Sequence, residues 1–137
     1  MVKGLMPKRV KRNVGMNPIA RAVARENLRR AILDQKIQLY VTAEGAECLG
    51  MCIPIQQVLT ALVMAADMDE KVGTDNREVK LMRGAISACE QMIANNSYRR
   101  INITSLEQAL DCAVELNARV KPELFNKAWN MLTGGAG

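Results

Sequence analysis

The segment Pro54–Glu70, PIQQVLTALVMAADMDE, decides the fold. Its apolar side chains recur at the three- and four-residue spacing of one helical face, and Ala61, Met64 and Ala65 leave few polar positions elsewhere. The apolar face consists of Ile55, Val58, Leu59, Leu62, Val63 and Ala66. A helix that is apolar nearly all round must be covered by other elements. We therefore predict a central buried helix that begins with the proline of this segment and is ended by Gly73.

Two further helices have recognisable start signals. The dipeptide Asn17-Pro18 supplies an N-cap and a first-turn proline, so helix 1 is expected from there to about Tyr40. Asp75 and Glu78 form a variant of the capping box. That pair predicts a third helix, which continues to about Ile93.

The remaining chain predicts two more helices and the loops between them. Thr104 or Ser105 is expected to cap helix 4, after a polar loop at 95–102, and Pro122 to begin helix 5. A loop with two glycines, TAEGAECLGMC (residues 42–52), separates helix 1 from the central helix. The apolar stripe of helix 4 comprises Leu106, Ala109, Leu110, Ala113, Asn117 and Val120. The sequence predicts an all-α fold, a single-domain irregular bundle of about five helices.

Length and composition fit one helical domain. A chain of 137 residues can bury a core without metals or disulfides. Because aromatic residues make up only 3%, the core must be aliphatic, with nine methionines as adaptable filler. The longest uninterrupted apolar run, ALVMAA (residues 61–66), is too short to span a bilayer, and the N-terminus lacks the apolar segment of a signal peptide. We expect a cytoplasmic protein without membrane insertion, built from a basic arm (1–16), a helical domain (17–133) and a flexible tail (134–137).

Positive charge is concentrated near the N-terminus. The chain carries a net charge of +5, from 19 basic and 14 acidic residues. Residues 1–36 hold ten basic and two acidic residues, a charge of +8, and the other 101 residues hold nine and twelve, a charge of −3. This asymmetry indicates contact with nucleic acid, a membrane surface or an acidic protein. The candidate binding residues are Lys8, Arg9, Lys11, Arg12, Arg21, Arg25, Arg29 and Lys36.

The basic residues of helix 1 have apolar neighbours. At 100° per residue, four cations fall within one narrow stripe: Arg21, Arg25, Arg29 and Lys36. Three apolar side chains border that stripe: Leu28, Ile32 and Leu39. Four others lie roughly opposite: Ile19, Val23, Leu33 and Ile37. The face that is part basic and part apolar is therefore expected to be a docking surface.

Two functions fit this charge distribution best. The first is a non-catalytic protein that contacts nucleic acid or a nucleoprotein machine through residues 1–16 and helix 1, mostly by electrostatic contacts with phosphates. The alternative is a protein–protein interaction module, such as an inhibitor, adaptor or assembly subunit, that docks helix 1 on an acidic partner surface. A targeting segment, or a basic end that only adds solubility, is also compatible with the same residues.

Groups that carry catalysis or bind metals are sparse. Histidine is absent, which removes the commonest general base and metal ligand, and no glycine-rich phosphate loop occurs. The C-x-x-x-C spacing of Cys48 and Cys52 differs from that of zinc knuckles. We expect these two cysteines, with Cys89 and Cys112, to be free thiols, and we expect no cofactor and no enzymatic activity.

The acidic segment DMDEKVGTDNRE (residues 67–78) comes nearest to a metal-binding motif. Four of its carboxylates occupy the first, third, ninth and twelfth positions of an EF-hand loop: Asp67, Asp69, Asp75 and Glu78. However, Lys71 replaces an oxygen ligand and Val72 replaces the glycine of the sharp turn. An acidic turn between helices explains the same residues. The surrounding segment, residues 64–82, resembles the acidic helix–loop–helix segment of tellurite-resistance-like helical domains, a likeness that covers less than a fifth of the chain.

Overall fold

The computed structural model describes residues 16–42, 47–96 and 100–134, and these form an all-α bundle. Within the described residues there are five helices and no strand, so the predicted fold class is confirmed. The helices are α1 (Pro18–Thr42), α2 (Glu47–Met68), α3 (Arg77–Asn95), α4 (Arg100–Asn117) and α5 (Pro122–Thr133). Apart from Met16 and Gly134, the predicted arm and tail lie outside the described residues.

Helix α2 lies at the centre of the bundle, as its sequence predicts. It packs against each of the other four helices. Its predicted apolar face is buried except for Val63, which is half-buried, and the small side chains of Ala61 and Ala65 are buried as well. Burial of apolar surface is the main favourable term in folding, so this helix organises the core.

Helix α2 begins earlier and ends earlier than the sequence predicts. It starts at Glu47, which places Pro54 inside the helix. A proline there has no N–H to donate to the carbonyl of Gly50. The added first turns bury Cys52 and pack Leu49 against the core, which offsets the lost bond. The predicted start at the proline and the long loop before it are therefore wrong, as is the predicted end at Gly73.

The caps of α3 and α4 also differ from those predicted. The cap of α3 is Asn76, whose Oδ1 accepts a 2.9 Å hydrogen bond from the N–H of Val79, whereas the side chain of Asp75 is fully exposed. Asn76 has the extended backbone that an N-cap requires. Helix α4 begins at Arg100, so Thr104 and Ser105 lie inside it and do not cap it.

The predicted stripe of α4 and the predicted start of α5 are confirmed. All six stripe residues are buried, including the polar Asn117. Pro122 opens α5, as expected for a residue with fixed φ and no N–H to satisfy. Gly134 ends α5 with a φ of 67°, a left-handed conformation that glycine adopts without strain.

A buried carboxylate ties the two turns at one end of the bundle. Asp69, which is 4% exposed, accepts hydrogen bonds from the N–H of Lys71 at 3.1 Å and of Lys121 at 3.2 Å. The first bond closes the turn after α2, and the second reaches the residue before α5. The carboxylate therefore satisfies two backbone donors that would otherwise be left without a partner.

One stretch of α2 has the dimensions of a membrane span. Among the described residues, Leu49–Met68 is 20 residues long with a mean hydropathy of 1.7. The length of an uninterrupted apolar run is too strict a criterion for a candidate membrane span. Isolated polar residues do not prevent a helix from reaching this mean hydropathy. In the fold, 44% of the stretch is buried within the bundle, and the core helix of a globular protein meets the same criterion.

Candidate interaction surface

The two sides of α1 have opposite environments. On the inner side, Ile32 and Leu39 are fully buried and Leu28 packs against the core. This side faces mainly α4, with further contacts to α2 and α5. The expectation that these three apolar residues belong to a docking surface is therefore wrong for Ile32 and Leu39, because they are core residues.

Arg21 binds α5 with its guanidinium group. Its Nη2 lies 2.6 Å from Oε2 of Glu123, and its Nε lies 3.1 Å from Oε1. The N–H of Met16 donates to the same carboxylate at 3.2 Å. The hydrogen bond from Arg21, with those from the backbone N–H groups of Glu123 itself and Met16, lowers the pKa of Glu123 to about 2, and the carboxylate raises the pKa of Arg21. The two-point contact fixes the beginning of α1 on the beginning of α5.

Arg25 lies over the turn between α4 and α5. Its Nη2 donates to the carbonyl of Val120 at 3.3 Å, and its own carbonyl accepts a 3.0 Å bond from Nδ2 of Asn117. Within the described part of the chain, its Nε is buried without a hydrogen-bond partner. The guanidinium is therefore partly withdrawn from solvent.

The remaining cations of α1 also have carboxylate partners. Glu26 accepts a 2.8 Å bond from Arg29 and a 2.9 Å bond from Arg30, and these bonds lower the pKa of Glu26 to about 2. Lys36 reaches Oδ1 of Asp111 on α4 at 2.6 Å. The positive charge of α1 is thus largely matched by carboxylates of the same chain.

The predicted site residues fall into two groups. Lys8, Arg9, Lys11 and Arg12 lie outside the described residues. The other four, all on α1, are brought together along one side of the helix, where each contacts an acceptor of its own chain: Arg21, Arg25, Arg29 and Lys36. Their assignment to a binding site stays a prediction.

The outer side of α1 carries exposed apolar side chains, and none of them is among the predicted site residues. We define the outer face as the five large apolar residues of α1 that are between 53% and 77% exposed: Ile19, Val23, Ile37, Tyr40 and Val41. Their three- and four-residue spacing was visible in the sequence. Spacing alone, however, does not say which of two apolar sides of a helix enters the core.

A second apolar surface lies across the bundle, where the outer edge of α2 runs between α3 and α5. An open groove of about 430 Å³ is lined there by Ile53, Gln56, Gln57, Thr60, Ile86, Glu90 and Leu132. Of these, Ile53 is 52% exposed, while Leu132 is 38% exposed. Half of the lining is polar, so this groove is a weaker candidate than the outer face of α1.

Two carboxylates of the 67–78 segment are engaged by the protein itself. Asp69 accepts the two backbone bonds described above, and Glu78 accepts a 2.8 Å bond from Arg119. Asp67 and Asp75 are exposed. Within the described residues, no group of three or more potential metal-ligating side chains comes together.

Three cysteines lie in the core and form no disulfide among the described residues: Cys52, Cys89 and Cys112. A hydrogen bond between Cys52 and Cys89, together with burial, raises the pKa of Cys89 and keeps it a neutral thiol. A nucleophilic cysteine needs the opposite, an accessible thiolate. The side chain of Cys48 lies outside the described residues.

No family model, curated protein or solved structure matches this chain.

Proposed function

We propose that this protein is a non-catalytic interaction module that binds a protein partner along the outer face of α1. The observation that carries the proposal is the exposure of five large apolar side chains on one helix. On the inner side of the same helix, Ile32 and Leu39 are buried and Leu28 packs against the core, so the outer set is not part of the core. Large apolar side chains exposed along one side of a helix are typical of binding surfaces.

The engagement of the α1 cations supports a protein partner over a nucleic acid at this helix. A phosphate would have to compete with Glu123 for Arg21 and with Asp111 for Lys36. An apolar partner surface requires no such exchange. It would contact Ile19, Val23 and Ile37 directly, which are exposed.

Affinity purification of the full chain tests this function. Ile37→Lys places a charge in the outer face, and we expect it to lose protein partners that the wild type retains after nuclease treatment. Met131→Lys is the matched control, because Met131 is 60% exposed, close to the 61% of Ile37, but lies on α5 outside both candidate surfaces. Retention of every partner by Ile37→Lys would contradict the proposal.

A second candidate function is contact with nucleic acid through the N-terminal arm. It is supported by the charge of +8 in residues 1–36, to which Lys8, Arg9, Lys11 and Arg12 contribute. Such contacts would be electrostatic and would not depend on the nucleotide sequence.

Salt dependence tests this second candidate. Duplex binding should weaken with a log–log slope of about −0.9 per phosphate contact. Replacing Lys8, Arg9, Lys11 and Arg12 by glutamine should reduce that slope, whereas Arg77→Gln on α3 should not change it. Binding that is absent, or insensitive to salt, would exclude the arm as a nucleic-acid contact.

A further inference from the structure

We propose that the outer face of α1 binds a second copy of this protein, with the two α1 helices antiparallel. This assignment rests on the proposed function, since it requires the outer face to be a protein-binding surface. It adds that the partner is a second copy of the chain. This is inferred from the order of side chains along the helix.

A seam of seven residues runs along the solvent side of α1. Successive members are alternately four and three residues apart, which is the heptad spacing of a coiled coil. They are Ile19, Val23, Glu26, Arg30, Leu33, Ile37 and Tyr40. Each is exposed or half-exposed, and the seam extends over about 32 Å of the helix.

The order of residues along the seam is self-complementary. From Ile19 to Ile37 it runs apolar, apolar, acidic, basic, apolar, apolar. A twofold axis beside residue 28 sets Ile19 opposite Ile37 of the second copy, and Val23 opposite Leu33. The same axis sets Glu26 opposite Arg30 in both directions. Apolar residues then meet apolar residues, and each central charge meets an opposite one.

Other arrangements of two α1 helices lack this match. A parallel pair sets Glu26 against Glu26 and Arg30 against Arg30, and like charges at seam positions disfavour association. An antiparallel pair shifted by seven residues sets Arg30 opposite Leu33 and Glu26 opposite Ile37. Both charges would then be covered by apolar groups, and neither would meet an opposite charge on the second copy.

The size of the contact indicates a weak dimer. The seam is one helix wide, about 10 Å, and therefore buries less than the roughly 800 Å² per partner of a standard stable interface. We expect association that is reversible and depends on concentration.

Sedimentation equilibrium of the full chain, from low micromolar to near-millimolar concentration, tests for this dimer. We expect dimerisation of the wild type and about tenfold or greater weakening by Glu26→Arg, which sets like charges against each other. Glu26→Arg combined with Arg30→Glu restores the reciprocal pairs and should restore association. Met131→Lys on α5 serves as control and should dimerise like the wild type, because Met131 is exposed but lies outside both candidate surfaces. A wild type that stays monomeric throughout, or a double variant no better than the single one, would overturn the proposal.

Cysteine cross-linking tests the direction of the helices. In a Cys48→Ser background, Val23→Cys with Leu33→Cys should give a covalent dimer under oxidation, because these positions face each other. Val23→Cys alone should not, since its two copies lie about 15 Å apart along the axis, beyond the reach of a disulfide. The native Cys52, Cys89 and Cys112 are buried. Circular dichroism of each variant checks that it is folded. Efficient cross-linking by Val23→Cys alone would show a parallel pair and refute the antiparallel one.

The two proposals fail differently. If the wild type is monomeric and Ile37→Lys still loses a cellular protein partner, self-association is excluded and the interaction function stands. If Ile37→Lys loses neither the second copy nor any other partner, the outer face is not a binding surface and both proposals fall.

Discussion

The inner and outer sides of α1 carry similar residues and have opposite environments. Ile32 and Leu39 on the inner side are fully buried, while Ile19 and Ile37 on the outer side are more than half exposed. The inner apolar residues are bordered by cations, whereas the outer apolar residues flank the ion pair between Glu26 and Arg30. The composition of a helical face therefore does not decide whether it enters the core. The inner side differs in that its apolar residues pack against other helices, and the bordering cations reach Glu123 on α5 and Asp111 on α4.

The largest expected difference between the two sides is in stability. Ile32→Ala should lower the free energy of unfolding by about 2–5 kcal/mol, because it removes buried methyl groups and leaves a cavity. Ile37→Ala, made on the exposed side, should change it by no more than about 0.5 kcal/mol. Urea denaturation of dilute protein measures both. Equal losses of free energy would mean that the outer side is packed in solution, which would contradict the difference between the two sides.

A smaller difference between the two sides is expected in stability at low pH. The folded pKa of Glu123 is about 2, below its ordinary value of 4.5. A lowered folded pKa adds stability that is complete above the ordinary value and is lost as pH falls from about 4.5 towards 2. Arg21→Gln removes the main cause of the shift. Its acid-unfolding midpoint, followed by circular dichroism, should therefore rise by up to about one pH unit.

Arg30→Gln is the matched control for the acid experiment. Arg30 lies on the outer side, and its partner Glu26 retains the bond from Arg29. We expect the acid transition of this variant to follow that of the wild type. If Arg21→Gln also matched the wild type, the link between α1 and α5 would contribute nothing to acid stability.

The smallest effect is expected for the ion pair between Lys36 and Asp111. The pair is short, at 2.6 Å, but its side chains are 39% and 60% exposed. Solvent screening and side-chain entropy limit such pairs to less than about 1 kcal/mol. A double-mutant cycle with Lys36→Ala and Asp111→Ala should give a coupling energy in that range, which salt reduces further. A coupling well above it would mean that this edge of α1 is more buried in solution.

Local signals were enough to predict much of the fold. Pro122 marks the start of α5 through its fixed φ and missing N–H, which act within one residue. The apolar stripe of α4 and the apolar character of α2 on nearly all its sides follow from residue spacing alone. Two neighbouring residues, Asp75 and Asn76, are both able to cap a helix, and only the backbone conformation shows that Asn76 does.

The orientation of α1 could not be predicted, because it depends on residues distant in sequence. Two apolar sets lie on opposite sides of this helix, and each has helical spacing. The choice between them is fixed by contacts such as the bond from Asn117 to the carbonyl of Arg25, 92 residues apart. In the same way, the burial of Cys52 extends α2 to the N-terminal side of Pro54. The candidate surface was missed for this reason, since exposed apolar residues are defined only once the core is known.

The central position of α2 has a consequence for biosynthesis. Translation produces Leu49–Met68 before any residue of α3, α4 or α5, yet those later helices provide much of its cover. Once it has emerged from the ribosome, this 20-residue segment of mean hydropathy 1.7 therefore has only α1 available to shield it. Until the helices of the C-terminal half follow, the exposed apolar surface makes the nascent chain prone to aggregation.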